Sequence, residues 1–172
     1  MWRVVGALWL LAVGSAWGAE GDELYRDMLV HYEAGEYREA EALALASLKI
    51  QRKNLQPGDP ALGVALSNAA MMFRAQGKFN DALPLLREAV DLAGGAVDPD
   101  PERLATYLDN LGGVLQDRGD SSEALSSYEA ALALRQAHLL PDHRDIAGSL
   151  NNVAVMMEHF ERDAEARDFY TR

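Results

Sequence analysis

Three lines of this sequence are nearly the same, and they fall 42 residues apart: "LSNAAMMFRAQG" from Leu66, "LDNLGGVLQDRG" from Leu108 and "LNNVAVMMEHFE" from Leu150. Asn68, Asn110 and Asn152 keep the step, as do Gly77 and Gly119, and Ala82, Ala124 and Ala166. One further step back lands on Gly35 and Ala40, a weaker first copy. A fixed period of this size marks a stacked-repeat architecture, in which each copy is one structural unit and cannot bury its apolar face alone.

The unit reads as two helices. In the second copy Asp59 and Pro60 form a helix start, with an N-cap and a proline at the first helical position. Leu62, Leu66, Ala69, Ala70 and Phe73 follow at helical spacing, and Gly77 turns the chain. Phe79, Ala82, Leu83, Leu86, Ala89 and Val90 give a second stripe, ended by Gly94 and Gly95. Pro84 is expected within about the first turn, where a missing N–H costs least. The third copy starts at Asp100 and Pro101, with Asp120 or Ser121 expected to cap its second helix. The fourth starts near "PDHRDIA". Small residues recur where paired helices must approach closely: Ala70, Gly112 and Ala154, then Ala82, Ala124 and Ala166. The fold class is all-α, an α-solenoid of about four antiparallel helix pairs with the last incomplete. The copies run over about 22–56, 57–98, 99–140 and 141–172.

At this point the chain resembles the tetratricopeptide repeat family. Ala70, Phe73, Gly77, Phe79 and Ala82 carry that repeat's pattern of small residue, aromatic, glycine, aromatic and alanine. The 42-residue period, the asparagine of the first helix and linkers such as "LLPDHRDIAGSLNN" are similar to the kinesin-light-chain type. The resemblance spans about Asp22 to Arg172. It departs at Arg26, Met28 and Glu161, which stand where other copies have Asn, Ala or Gly, and Gly. Phe169 and Tyr170 would lie near an uncovered surface.

The resemblance implies a binding scaffold whose first helices line a concave groove. Candidate groove residues are Asn68, Met71 and Arg74, then Asp109, Asn110 and Gln116, then Asn151, Asn152 and Val155. Asparagine is a poor helix former, so its recurrence asks for a reason. Its amide suits clasping an extended peptide backbone, and equally suits bonding neighbouring repeats. Of Met71-Met72 and Met156-Met157, one of each is expected in the core and one towards the groove. Tyr25, Ser67, Asp109 and Asn151 include no lysine, which argues against a clamp for an acidic C-terminal tail.

The first residues lie outside the repeat. "MWRVVGALWLLAVGSAWGAE" has Arg3, an apolar run from Val4 to Val13, then small residues: the layout of a secretory signal peptide over residues 1–18. Cleavage after Gly18 or after Ala16 both fit. The apolar run is shorter than the ~20 residues a bilayer span takes. An exported protein is expected, with the periplasm as its compartment and a retained leader the only route to a membrane.

Composition narrows the partners. The formal charge of −11 leaves no basic patch for nucleic acid. There is no cysteine, so disulfides and thiolate sites are excluded. His31, His138, His143 and His159 have no metal-site spacing, and Gly94-Gly95 lacks a phosphate-loop pattern. Ser121 and Ser122 read as capping residues, and Asp109 and Asp117 as surface charge. No catalytic constellation, cofactor or metal is expected. The partner is a protein or peptide, with self-association through open solenoid ends as the alternative.

Overall fold

The computed structural model describes residues 18–56 and 58–171. Most of the signal-peptide reading therefore lies outside the described residues. Within them the chain forms α1 (Gly18–Glu33), α2 (Tyr37–Asn54), α3 (Pro60–Ala75), α4 (Phe79–Gly94), α5 (Pro101–Arg118), α6 (Ser121–His138), α7 (Arg144–His159) and α8 (Asp163–Thr171). Each helix packs on the next in chain order, and α3 also touches α5 directly. The all-α solenoid of helix pairs is the observed architecture.

The local signals act as their chemistry requires. Asp59 accepts a hydrogen bond from the Ala61 N–H at 2.9 Å, and Asp100 accepts from the Arg103 N–H at 3.0 Å. Each satisfies one orphan donor of a helix that opens on proline. The start of α6 differs from expectation. Neither candidate caps it: Asp120 makes no side-chain cap bond and pairs with Arg118, while Ser121 Oγ shares a hydrogen bond with His159 Nε2 at 2.8 Å. The start of α7 is capped instead by His143, whose Nδ1 accepts from the Asp145 N–H at 3.3 Å. Pro84 also lies deeper than expected. It is the sixth residue of α4, past the first turn, so the Asn80 carbonyl loses its helical donor.

The turn inside each pair uses one backbone state. Gly35, Gly77 and Gly119 have φ of 78°, 72° and 98°, and the equivalent Glu161 is held at 58°. For a side-chain-bearing residue this left-handed conformation costs roughly 1–2 kcal/mol. Glu161→Gly is therefore expected to stabilise the fold by about 1 kcal/mol, after the added freedom of the unfolded chain is subtracted. A melting temperature raised by about 2–4 °C would show it, and an unchanged or lower one would contradict it.

The core is continuous along the stack. Met28, Ala40, Ala44, Leu48, Leu66 and Met72 join the first two pairs. Leu83, Leu86, Val114, Leu115, Leu132, Val153 and Met156 join the later ones. The small residues expected at close approaches are fully buried: Ala70, Ala82, Ala124 and Ala154 at 0% and Ala166 at 1%. The methionines correct an expectation, because Met71, Met72, Met156 and Met157 are all buried in the core. No member of either pair is left for an open surface.

Candidate functional site

First helices of successive pairs are joined by polar side chains across a fixed interval of 43 residues. Asn110 Nδ2 donates to Ser67 Oγ at 3.0 Å, Arg74 Nε to Asp117 Oδ2 at 2.6 Å, and Asn152 Nδ2 to Asp109 Oδ1 at 3.4 Å. Second helices are bridged by longer side chains, in the ion pairs Arg52–Glu88 and Arg87–Glu123. Of the first helices, α3 and α5 also touch directly.

The candidate groove residues divide by exposure. Gln116, Asn151 and Val155 are exposed, and Arg74, Asp109 and Asn152 are half-buried. Asn68, Asn110 and Met71 are buried, at 3%, 7% and 4% exposure. The bonds made by Asn110 and Asn152 give the inter-repeat role of the asparagines its geometry. Asn68 lacks such a bond, and its amide nitrogen has no hydrogen-bond partner among the described residues. The position that supplies Ser67 and Asp109 to the later rungs holds Tyr25 at this one.

Arg74 lies over α5 because Gly113 has no side chain: a Cβ there would meet the guanidinium at 2.6 Å. Beside it the Tyr128 hydroxyl donates to Gln116 Oε1 at 2.9 Å. Burial pushes the Tyr128 phenol up to about 12, against a smaller lowering by Arg74. The amide of exposed Gln116 is thus held in place on α5.

Arg135 is not among the sequence-derived candidates. Its side chain, 6% exposed, donates to Asp109 and to Ser149 Oγ, tying α6 to α5 and α7. Asp109 is consequently a paired, largely buried carboxylate and not a solvated one. Burial holds its carboxyl above the ordinary value even though Arg135 and Asn152 pull it down. Arg135 continues the apolar stripe Tyr128, Ala131 and Leu132 at helical spacing, which is the signal that would have placed it inside. Among the described residues no group of three His, Asp or Glu could hold a metal ion. Also among them, no helix is long and apolar enough to cross a membrane.

The sequence profile of the tetratricopeptide repeat family matches residues 29–94 and 102–172. The chain belongs to the tetratricopeptide repeat family. A search of curated proteins finds no match. Among solved structures, this tetratricopeptide array is similar to BtubC (BKLC) from P. vanneervenii, at TM-score 0.78 and 22% identity, over 89% of this chain and 61% of that one. It is similar also to a kinesin-light-chain-type protein of nearly identical TPR-like repeats from Podosopora anserina, at TM-score 0.77 and 20% identity, over 92% and 74%. MamA from Desulfovibrio magneticus RS-1 matches at TM-score 0.64 and 16% identity, over 88% and 72%. The chain spans about three fifths of the length of BtubC. At these identities the likeness is one of fold. Arrays of this family are generally non-catalytic scaffolds for protein–protein interaction.

Proposed function

We propose that this chain is an exported, non-catalytic scaffold that holds an extended segment of another protein along its first-helix face. The observation that carries the proposal is the ladder at 43-residue spacing. It sets equivalent positions of α3, α5 and α7 side by side, so one extended ligand can meet several repeats in register. Gln116 and Asn151 offer amide donors and acceptors for a peptide backbone, Val155 an apolar contact, and the Arg74–Asp117 pair both signs of charge. Export rests on the leader-like pattern of residues 1–18. N-terminal sequencing of the protein from its producing cells is expected to begin at Ala19 or Trp17, and a start at Met1 would contradict it.

The groove is tested by selecting peptides on the whole chain and titrating the best against variants. Val155→Asp and Gln116→Ala are each expected to weaken binding about tenfold, or about 1.4 kcal/mol. Arg87→Ala, on a second helix, leaves it unchanged. Equal affinity across all three variants would remove the groove reading. A second reading, self-association through the last pair, is favoured by Phe160 and Tyr170, which are 37% and 47% exposed. A dilution series followed by light scattering separates the two: a concentration-independent monomer ends it.

A further inference from the structure

A cavity of about 180 Å³ opens where the first turns of α3 and α5 meet the end of α4. Pro60, Leu92 and Ala93 give it apolar walls, and Tyr107, Arg103, Asp98 and Asp100 polar ones. It uses none of the candidate groove residues. Tyr107 is 1% exposed, and its hydroxyl has no hydrogen-bond partner among the described residues. A phenol buried this deeply ordinarily has one. Asp100 in the cavity wall is already engaged: one oxygen caps α5 and the other pairs with Arg103 Nε at 3.3 Å. Burial pushes the phenol well above its ordinary value, and Arg103 and Asp100 line the same cavity.

The cavity is local to one interface. Tyr107 occupies the position held by Ala65 one repeat earlier and by Ser149 one repeat later. Gly63 stands where the later repeats have Ala105 and Ala147. A Cβ on Gly63 would lie 2.9 Å from the Tyr107 hydroxyl oxygen, so the glycine is what admits the ring. The neighbouring rungs pair small residues at these positions, Gly21 with Ala65 and Ala105 with Ser149, whereas here a tyrosine lies over a glycine.

We propose that this cavity binds one ring-sized apolar group carrying a hydrogen-bond acceptor, which accepts from the Tyr107 hydroxyl. The size fits, since a cavity of about 150 Å³ lined by apolar side chains takes up benzene. The hydroxyl proton is the unmatched partner, so the group that fills the cavity is one that brings an acceptor. An aromatic ketone and an aromatic residue of a peptide, with its carbonyl, share this chemistry.

The test is a titration of the full chain, followed by amide NMR shifts, with acetophenone, N-acetylphenylalaninamide and ethylbenzene as probes. Saturable shifts at Gly63, Leu92, Ala93 and Tyr107 are expected. An acceptor-bearing probe should bind about two- to tenfold tighter than ethylbenzene, the worth of one net hydrogen bond. Tyr107→Phe, which keeps the ring, erases that difference, and Ala93→Leu, which fills the cavity, blocks all three probes. Tighter binding of acetophenone assigns the site to a free small molecule, and tighter binding of the amide to a peptide residue. Absence of saturable shifts, an ethylbenzene affinity equal to that of both other probes, or unchanged binding in Ala93→Leu would each overturn the proposal. The cavity would then hold only water.

Discussion

Replacing Arg135 with methionine is expected to cost the fold about 3–5 kcal/mol, because it leaves a largely buried carboxylate without its partner. The Arg135 and Asp109 side chains are 6% and 16% exposed, so little water reaches either. Burial already raises Asp109 above its ordinary value with Arg135 in place, and removal of the guanidinium raises it further. The sign of the pH dependence follows. A carboxyl raised in the folded state takes up a proton on folding as the pH falls through its folded value, which removes the unpaired charge. The deficit of the variant is therefore largest at neutral pH and shrinks towards acid. Denaturant unfolding of both proteins across that range measures it. Adding Asp109→Leu to Arg135→Met should recover most of the loss, since an apolar pair replaces an ionic one of similar volume. A loss below about 1 kcal/mol at neutral pH would mean that the network does not hold the last two pairs together. The consequence for binding is geometric. Arg135 bridges α5 and α7 from α6, and so fixes Gln116 relative to Asn151 and Val155.

Gly112→Ala is expected to destabilise the chain by about 1–3 kcal/mol through overpacking. A Cβ at Gly112 would stand 2.8 Å from the Tyr128 ring. That ring is buried and tied by its hydroxyl to Gln116, so it has little room to yield. The same positions one repeat earlier are Ala70 and Leu86, both at 0% exposure, a pairing in which the methyl fits. Tyr128→Leu in the Gly112→Ala background recreates that pairing. The glycine substitution should then cost about 1 kcal/mol less than it does alone, or better. Thermal unfolding of the two single variants and the double variant completes the cycle, and an equal cost of Gly112→Ala in both backgrounds would refute the contact argument.

Much of the fold was legible because the repeat supplies its own alignment. The period, the turn glycines and the caps at Asp59 and Asp100 depend on local chemistry that acts within a few residues. The site was less legible, for a physical reason. A first helix in the middle of the stack packs on both neighbours as well as on its own partner. α3 is accordingly buried without a break from Gly63 to Met72. Helical spacing separates inside from outside when one face is covered, but it cannot rank three covered faces. Periodicity therefore does not part Asn68, Asn110 and Met71 from exposed Gln116 and Val155, although the first three lie in the layer between repeats. Arg135 and Tyr107 escaped for the opposite reason. Each departs from the repeat at a single copy, and its partners lie on helices that sequence periodicity does not bring together. Ser121, read as a cap, instead meets His159 on the next pair, a contact made by stacking alone.

The most direct test of the scaffold reading is site-specific photo-crosslinking in the producing cell. The crosslinker is placed at Gln116 and at Val155, both exposed on first helices, with exposed Glu129 on α6 as control. Capture of one and the same protein from both first-helix positions, absent from the control and lost on adding excess selected peptide, is the predicted result. Capture of the same species from Glu129 as from the groove, or of this chain alone, would contradict it and transfer the role to self-association.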